Sequence, residues 1–263
     1  MPRIGIYMPA YNVGRYIRES IQSVLSQSFR DWQLLVHDDC SNDNTFDCAL
    51  MFDDTRVSAY RRQEHCGLIG KMNNETIPMF SEQPDYICQM DSDDIIPPYC
   101  FQTFVDYMDG HPEIGVCCGN FMCFDDSGRA WSLPHAANSG EYDSATLLRY
   151  MNMFPLRMFR KLVFDSVGGY SNELSSSEDY DLALKLDEVT KVYRIKDPIT
   201  YYYRQHPRQV SSRLKKQQDL DAKKALEAAL KRRGINKIVT NDAPPFVIAT
   251  QQPTGAQFIW GKK

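Results

Sequence analysis

The stretch Tyr86–Pro98, YICQMDSDDIIPP, decides how the rest of the chain is read. An apolar run of strand length, YICQM, stops abruptly at Asp91, Ser92, Asp93 and Asp94. Short apolar runs bounded by polar residues are typical of strands buried on both faces of a sheet. Carboxylates crowded at the end of such a strand repel one another. They persist at low cost only where solvent, hydrogen bonds or a cation offsets the repulsion.

Working outward toward the N-terminus, RIGIYM (Arg3–Met8) reads as a strand ending at Pro9. In the following segment Ile17, Ile21, Val24 and Leu25 recur at helical spacing and mark one apolar face. WQLLVH (Trp32–His37) and RVSAYRR (Arg56–Arg62) are further strand candidates, and HCGLIGKMNNETIP (His65–Pro78) is a loop running into a helix. Strands alternating with helices predict an α/β fold, a mostly parallel, Rossmann-like central sheet flanked by helices. Ligands of such sheets bind beyond the carboxyl ends of the strands. PAYN (Pro9–Asn12), DDCSNDNT (Asp38–Thr45) and DSDD (Asp91–Asp94) all fall at that edge. Ser41, Asn42 and Asp43 are equally well explained as turn and capping residues. Asp38, Asp39 and the carboxylates of DSDD are not.

The second half is less regular. IGVCCGNFMCF (Ile114–Phe124) reads as one strand, and a helix is expected to start near Asp143. FPLRMFRKLVFDSVGGY (Phe154–Tyr170) predicts a strand, a short helix and a turn at Gly168-Gly169. SSSEDYDLALKLDEV (Ser175–Val189) opens a helix with Ser177 as N-cap and Glu178 and Asp179 in the first turn, where the helix dipole favours negative charge. KVYRIKDPITYYYRQHPRQVS (Lys191–Ser211) holds short strands and a loop, with Tyr201–Tyr203 read mainly as packing residues and secondarily as a sugar-stacking platform. Beyond it a basic helix is expected over 212–235, ended by Gly234, and 236–263 reads as an irregular tail. The basic helix suits a solvated face, or peripheral contact with anionic lipid.

With 263 residues, 43% of them hydrophobic, the chain can bury a sizeable core. A net charge of −4 gives no general pull toward nucleic acid. No run is long and apolar enough for a transmembrane helix, and MPRIGIYMPAYN passes straight into a strand pattern with no signal peptide, so a cytoplasmic location is expected. The 8 cysteines form no CxxC pair and are expected to be reduced and mostly buried; a zinc site at Cys117, Cys118 and Cys123 is the weaker reading.

Taken together, MPAYN (Met8–Asn12), HDDCSNDNT (His37–Thr45), MDSDD (Met90–Asp94), SEDYD (Ser177–Asp181) and YYYRQHPRQVS (Tyr201–Ser211) resemble the inverting family-two glycosyltransferases of the GT-A fold. Bacterial capsule, chondroitin-type and lipopolysaccharide sugar transferases are similar in pattern. The resemblance runs from about Ile4 to Ser211, implying a GT-A domain over 1–211 with a nucleotide-binding half (about 1–98) and an acceptor half (about 99–211). It implies a UDP-sugar donor and an oligosaccharide, polysaccharide or glycolipid acceptor. Pro9, Ala10, Tyr11 and Asn12 match the first nucleotide-binding segment, with Tyr11 against the uracil ring. Asp39 matches the acceptor of the uracil imide proton. Asp91 and Asp93, with Ser92 between them, match the DxD motif that meets ribose and metal. Asp179 matches the catalytic base, with Glu178 beside it as the other candidate. His206 matches a position that reaches metal or diphosphate. Lys71 stands where the family often has Arg near the ribose and diphosphate.

Hard oxygen ligands suit Mn2+, which is favoured, or Mg2+. Inversion needs one base opposite the leaving group, and one carboxylate fits that task. Two departures stand out. Cys40 replaces a usual glycine, in a loop where φ > 0 is expected to be harder to adopt. Lys71 loses the bidentate fork of arginine. A non-catalytic nucleotide-sugar binding module is the alternative reading, though it has no use for SEDYD. A nucleotidyltransferase would need a Gly-rich, basic loop after the first strand, and PAYNVGRY offers little of either.

Overall fold

A computed structural model describes residues 2–132, 142–209 and 214–235, and the backbone of two short strands at Ile248–Ala249 and Phe258–Ile259. The expected tail at 236–263, and residues 212–213 of the expected basic helix, otherwise lie outside the described residues.

The first three strands are β1 (Ile4–Ala10), β2 (Trp32–Asp38) and β3 (Val57–Arg61). β4 is Tyr86–Gln89, β5 is Ile114–Cys118, β8 is Arg157–Arg160 and β9 is Lys191–Arg194. These form one sheet in the order β3-β2-β1-β4-β8-β5-β9. β1 pairs in parallel with both β2 and β4, placing Ala10 opposite Asp38 and Tyr7 opposite Gln89. β8 runs antiparallel between β4 and β5. The parallel strands are apolar on both faces because both faces are covered. Helices α1 (Ile17–Leu25) and α4 (Cys100–Gly110) contribute Ile17, Ile21, Phe101 and Phe104 to one core cluster with Ile4, Ile6 and Leu34. On the other face Tyr7, Ile87 and Phe159 meet helix α7 (Glu178–Asp187).

IGVCCGNFMCF is two strands, not one. β6 (Phe121–Asp125) leaves the main sheet for a second, small sheet, β10-β6-β7, with β7 at Ala130–Trp131 and β10 at Tyr201–Gln205. The break falls at Gly119, where a Cβ would lie 1.9 Å from Thr200 Oγ1. β1 continues past the expected stop, through Pro9 to Ala10. The helix starting after Asp143 is present, as α5 (Ser144–Leu147), and Asp143 caps it by accepting from the backbone of Ala145 and Thr146. α6 (Lys161–Ser166) and the turn at Gly168 and Gly169, both at positive φ, are also as expected.

Helix α8 (Lys215–Arg232) does not stand apart from the domain. Its Ala222, Ala225, Leu226 and Ala229 are buried with Tyr180, Ala183 and Leu184 of α7. Several of its basic groups meet acids of the same chain: Lys224 meets Asp221, Lys223 meets Glu227, Arg232 meets Glu188, and Arg233 just beyond the helix meets Asp187. That pairing lends no support to a lipid-facing role. Among the described residues no helix is long and apolar enough to cross a membrane.

The cysteines are free, and Cys117, Cys118 and Cys123 are fully buried on β5 and β6 with thiols pushed upward by burial. Among the described residues no three His, Cys, Asp or Glu side chains converge as metal ligands, so the zinc reading of these cysteines is not sustained.

Candidate active site

A cleft of about 810 Å³ opens at the carboxyl ends of β1, β2 and β4. It lies where the chain switches from winding toward β2 to winding toward β4, the place such sheets reserve for ligands. Pro9, Ala10, Tyr11, Asn12, Asp39, Asp91, Ser92, Asp93, Glu178, Asp179 and His206 all line it. Lys71, expected near the ribose and diphosphate, is not among the lining residues, and neither are Asp38 and Asp94. Lys71 lies on helix α3 (Ile69–Thr76), whose Ile69 and Met72 face the cleft instead.

At the β1 end, Tyr11 is 39% exposed and the chain turns at Asn12 with φ 54. The Asn12 side chain accepts from the backbone of Asn42, and the Asn12 amide donates to Ser41 Oγ, joining this turn to the loop after β2. Asp38 organises that loop: it is buried, is bonded by the Ser41 hydroxyl and meets Arg61. Cys40 adopts φ 60 despite its side chain, so the expected difficulty at φ > 0 does not keep this loop out of the left-handed region. Asp39 holds the next loop. It accepts from the backbone N–H of Cys66 and of Gly67 at 2.8 Å each, and His65 Nδ1 lies 2.9 Å from its Oδ2. The His65 ring also stacks on Tyr11, centroids 4.1 Å apart.

The carboxylates of DSDD divide their tasks. Asp94 is fully buried and accepts from Tyr201 Oη and from the Arg204 N–H, each at 2.7 Å. Together with the Ile95–Tyr202 bridge, it fastens β10 to the end of β4. The fastening carries His206 to Asp93, Nε2 to Oδ2 2.9 Å. Ser92 gives its hydroxyl to the Pro9 carbonyl, tying β4 to β1. Asp91 accepts from Gln89 Nε2 and is pushed up to about 6, chiefly by burial and then by the charge of Asp93. The expected metal set of Asp91, Asp93 and His206 is therefore only partly assembled: Asp93 and His206 meet, and Asp91 turns to Gln89. Of the tyrosine run, Tyr201 is buried, and Tyr203 lines the cleft.

Opposite, Asp179 receives Arg157 Nη1 at 2.9 Å on one oxygen and its neighbour's N–H, from Tyr180, at 2.8 Å on the other. Glu178 is buried, and burial together with the adjacent Asp179 charge holds its carboxyl well above the usual range. Ser177 is in the N-cap position, yet it adopts φ 55 and its hydroxyl donates to the Gln218 carbonyl, so it does not cap the helix as expected. Arg157 and His65 were not singled out by sequence reading. An arginine among the apolar residues of a central strand was the available signal for Arg157, since arginine is seldom buried without a partner. Nothing local marked His65.

The sheet and the cleft at its carboxyl edge are those of a GT-A fold. The chain belongs to glycosyl transferase family 2, whose model matches residues 5–168. It is 28% identical over 191 residues to the chondroitin synthase of Escherichia coli, a span of 72% of this chain and 27% of that one. Among solved structures, Staphylococcus aureus TarS 1–349 in complex with UDP-GlcNAc superposes with a TM-score of 0.66 at 20% identity, covering 78% of this chain and 59% of that one. The Pyrobaculum calidifontis mannosyltransferase in complex with GDP-Man and Mn2+ gives a TM-score of 0.61 at 14% identity, over 90% and 76% of the two chains. The chain thus spans about a quarter of that synthase and under two thirds of the TarS chain.

Proposed function

We propose that this chain transfers a hexose or N-acetylhexosamine from a UDP-sugar to a hydroxyl of a glycan or glycolipid, by single displacement with inversion. One observation carries the reading: the base candidate Asp179 and the Asp93–His206 pair face the same cleft, with Asp93 brought there from the first half of the chain and Asp179 and His206 from the second. A binding module needs no such carboxylate.

Asp179 takes the proton from the attacking hydroxyl, and Arg157 orients its carboxylate for that task. Glu178 is the poorer base because its raised pKa keeps it protonated near neutrality. Asp39 and Tyr11 receive the base of the nucleotide. The pair Asp93 and His206 offers one carboxylate oxygen and one imidazole nitrogen, a donor set that suits Mn2+ when diphosphate and water complete the shell. When bound, the cation neutralises charge on the departing diphosphate.

The test is UDP release from a panel of UDP-sugars with Mn2+, with Mg2+ and with EDTA. Turnover of one donor that EDTA abolishes is the expected result. Turnover indifferent to EDTA sinks the metal assignment, and none from any donor in the presence of glycan acceptors sinks the transferase. Asp179→Asn is expected to cut turnover by roughly 10²–10⁴-fold while leaving the UDP Kd unchanged. A Kd that collapses with it would move Asp179 into nucleotide binding.

A further inference from the structure

The short segment that delivers Glu178 and Asp179 to the cleft is held from outside its own helix. Asp221, on α8, is 1% exposed. Its Oδ2 accepts from the Ser175 N–H at 3.2 Å, from Ser175 Oγ at 2.9 Å and from Ser176 Oγ at 3.3 Å. Its Oδ1 receives Lys224 Nζ at 2.9 Å. One turn earlier on the same helix, the Gln218 carbonyl accepts from Ser177 Oγ at 3.1 Å. Three successive serines are thus bonded to one face of α8, and the residue after them begins α7.

The backbone shows why this hold is needed. Ser177 has φ 55, in the left-handed region that residues other than Gly, Asn and Asp seldom adopt. Such a conformation lasts only where the surroundings fix it. Here the reversal at Ser177 turns the chain so that Asp179 emerges toward Arg157 and the cleft. The same helix reaches the cleft itself through Gln218 and Ala222, with Leu214 just before it also lining the cleft. α8 lies beyond the part of the chain that the family model matches, residues 5–168.

We propose that Asp221 is a positioning residue for the catalytic base, and that α8 belongs to the catalytic apparatus. The idea rests on the transferase reading with Asp179 as base. Asp221 does not touch the reacting atoms. It acts by clamping Ser175 and Ser176, so that the left-handed turn at Ser177 aims Asp179. Small misplacements of a catalytic group are costly: about 1 Å can lose on the order of 10²-fold in rate.

The experiment uses the full chain and the UDP-sugar that wild type turns over in the donor panel. Asp221→Asn and Ser175→Ala/Ser176→Ala are compared with wild type. Turnover is expressed per UDP-binding site, counted by calorimetric titration with UDP, so that unfolded molecules do not enter the rate. The expected result is kcat lowered by roughly 10- to 10²-fold, with donor KM and UDP Kd within about two-fold of wild type. A residue that only stabilises the fold would lower Tm and the number of binding sites and leave kcat per site unchanged; that outcome overturns the proposal. Ser177→Gly serves as the variant that folds if Asp221→Asn does not, since glycine accepts the left-handed turn while losing the bond to Gln218. It is expected to lower kcat per site in the same selective way, and wild-type kcat from it would overturn the clamp. A wild type that turns over no donor overturns the transferase reading itself, and the proposal with it. Active wild type with variants that match it overturns the proposal alone.

Discussion

Asp91 and Asp94 show how one acidic cluster holds residues of different kinds. Asp94 is a structural clamp held by Tyr201 and Arg204, with its carboxyl pushed well above the ordinary range by burial, whereas Asp91 lines the cleft and is pushed up to about 6 against an ordinary 3.8. A carboxyl with a raised folded pKa contributes stability that is fully present below the unfolded value and is lost as pH rises through the folded one. Asp91→Asn, neutral throughout, is therefore expected to be more stable than wild type by ~3 kcal/mol near pH 7.5 in metal-free buffer, with the gap closing below about pH 4. Thermal unfolding of both proteins from pH 4 to 8 checks this, and parallel profiles would refute it. His65 offers a second test. Its ring stacks on Tyr11 and pairs with Asp39, the two contacts assigned to the uracil ring. Removing it in His65→Ala spares the nucleotide a displacement worth ~1 kcal/mol, so UDP should bind about five-fold tighter by calorimetry. Weaker binding would mean that His65 packs on the base instead. Residue type and position made Asp39, Asp91 and Asp93 legible in the sequence, because carboxylates at strand ends stand out against apolar flanks, whereas Asp179, an ordinary first-turn acid by position, was picked out by the resemblance. Which oxygen faces ligand and which faces protein was not legible. Asp94 differs from Asp93 only through Tyr201 and Arg204, more than a hundred residues away in sequence.

At the scale of elements, periodicity marked β1, α1, β2, β3 and β4 because each is a single apolar run or stripe with polar punctuation. It failed at Ile114–Phe124, where one apolar run serves two sheets; the chain leaves the first at Gly119, and the partner that closes that corner is Thr200. It gave α7 its start but mistook the function of Ser177, since a hydroxyl reaching Gln218 on a later helix leaves no trace in local sequence. α3 and α7 approach each other closely at another glycine. A Cβ added at Gly70 would lie 2.5 Å from the Ser171 carbonyl oxygen and 3.1 Å from Glu178 Cβ. Backbone oxygen cannot rotate away as a flexible side chain can. Gly70→Ala should therefore cost about 1–3 kcal/mol, and the displaced loop is the one that leads to Asp179. Denaturant unfolding measures the loss, and a stability equal to wild type would show that α3 slides freely.

At the scale of the whole molecule, the resemblance in sequence stops near Ser211, and the basic composition beyond it suggested a separate extension. Composition was a poor guide there because Lys and Arg dominate the count while four small or apolar residues do the packing. Ala222, Ala225, Leu226 and Ala229 lie in the same core cluster as Tyr180, Leu182 and Leu184, and Arg233 and Arg232 reach Asp187 and Glu188 at the far end of α7. Both ends of α7 are therefore held by α8: the first through Asp221 and the serines, the last through the arginines. A chain ended after residue 213 would open that cluster to water. Burying the Leu226 side chain alone is worth roughly 1.5–3 kcal/mol, and the face of α7 left bare is larger than one side chain. Set against a total stability of about 5–15 kcal/mol, the loss removes much of the margin. The shortened chain is expected to lose cooperative thermal unfolding or to be recovered only as aggregate, whereas the full chain melts in one transition. A shortened chain that melts cooperatively within a few degrees of the full chain would show that α8 rests on the domain without supporting it. It would also remove the structural ground for the Asp221 clamp, because a helix that contributes nothing to the core cannot hold a strained turn in place.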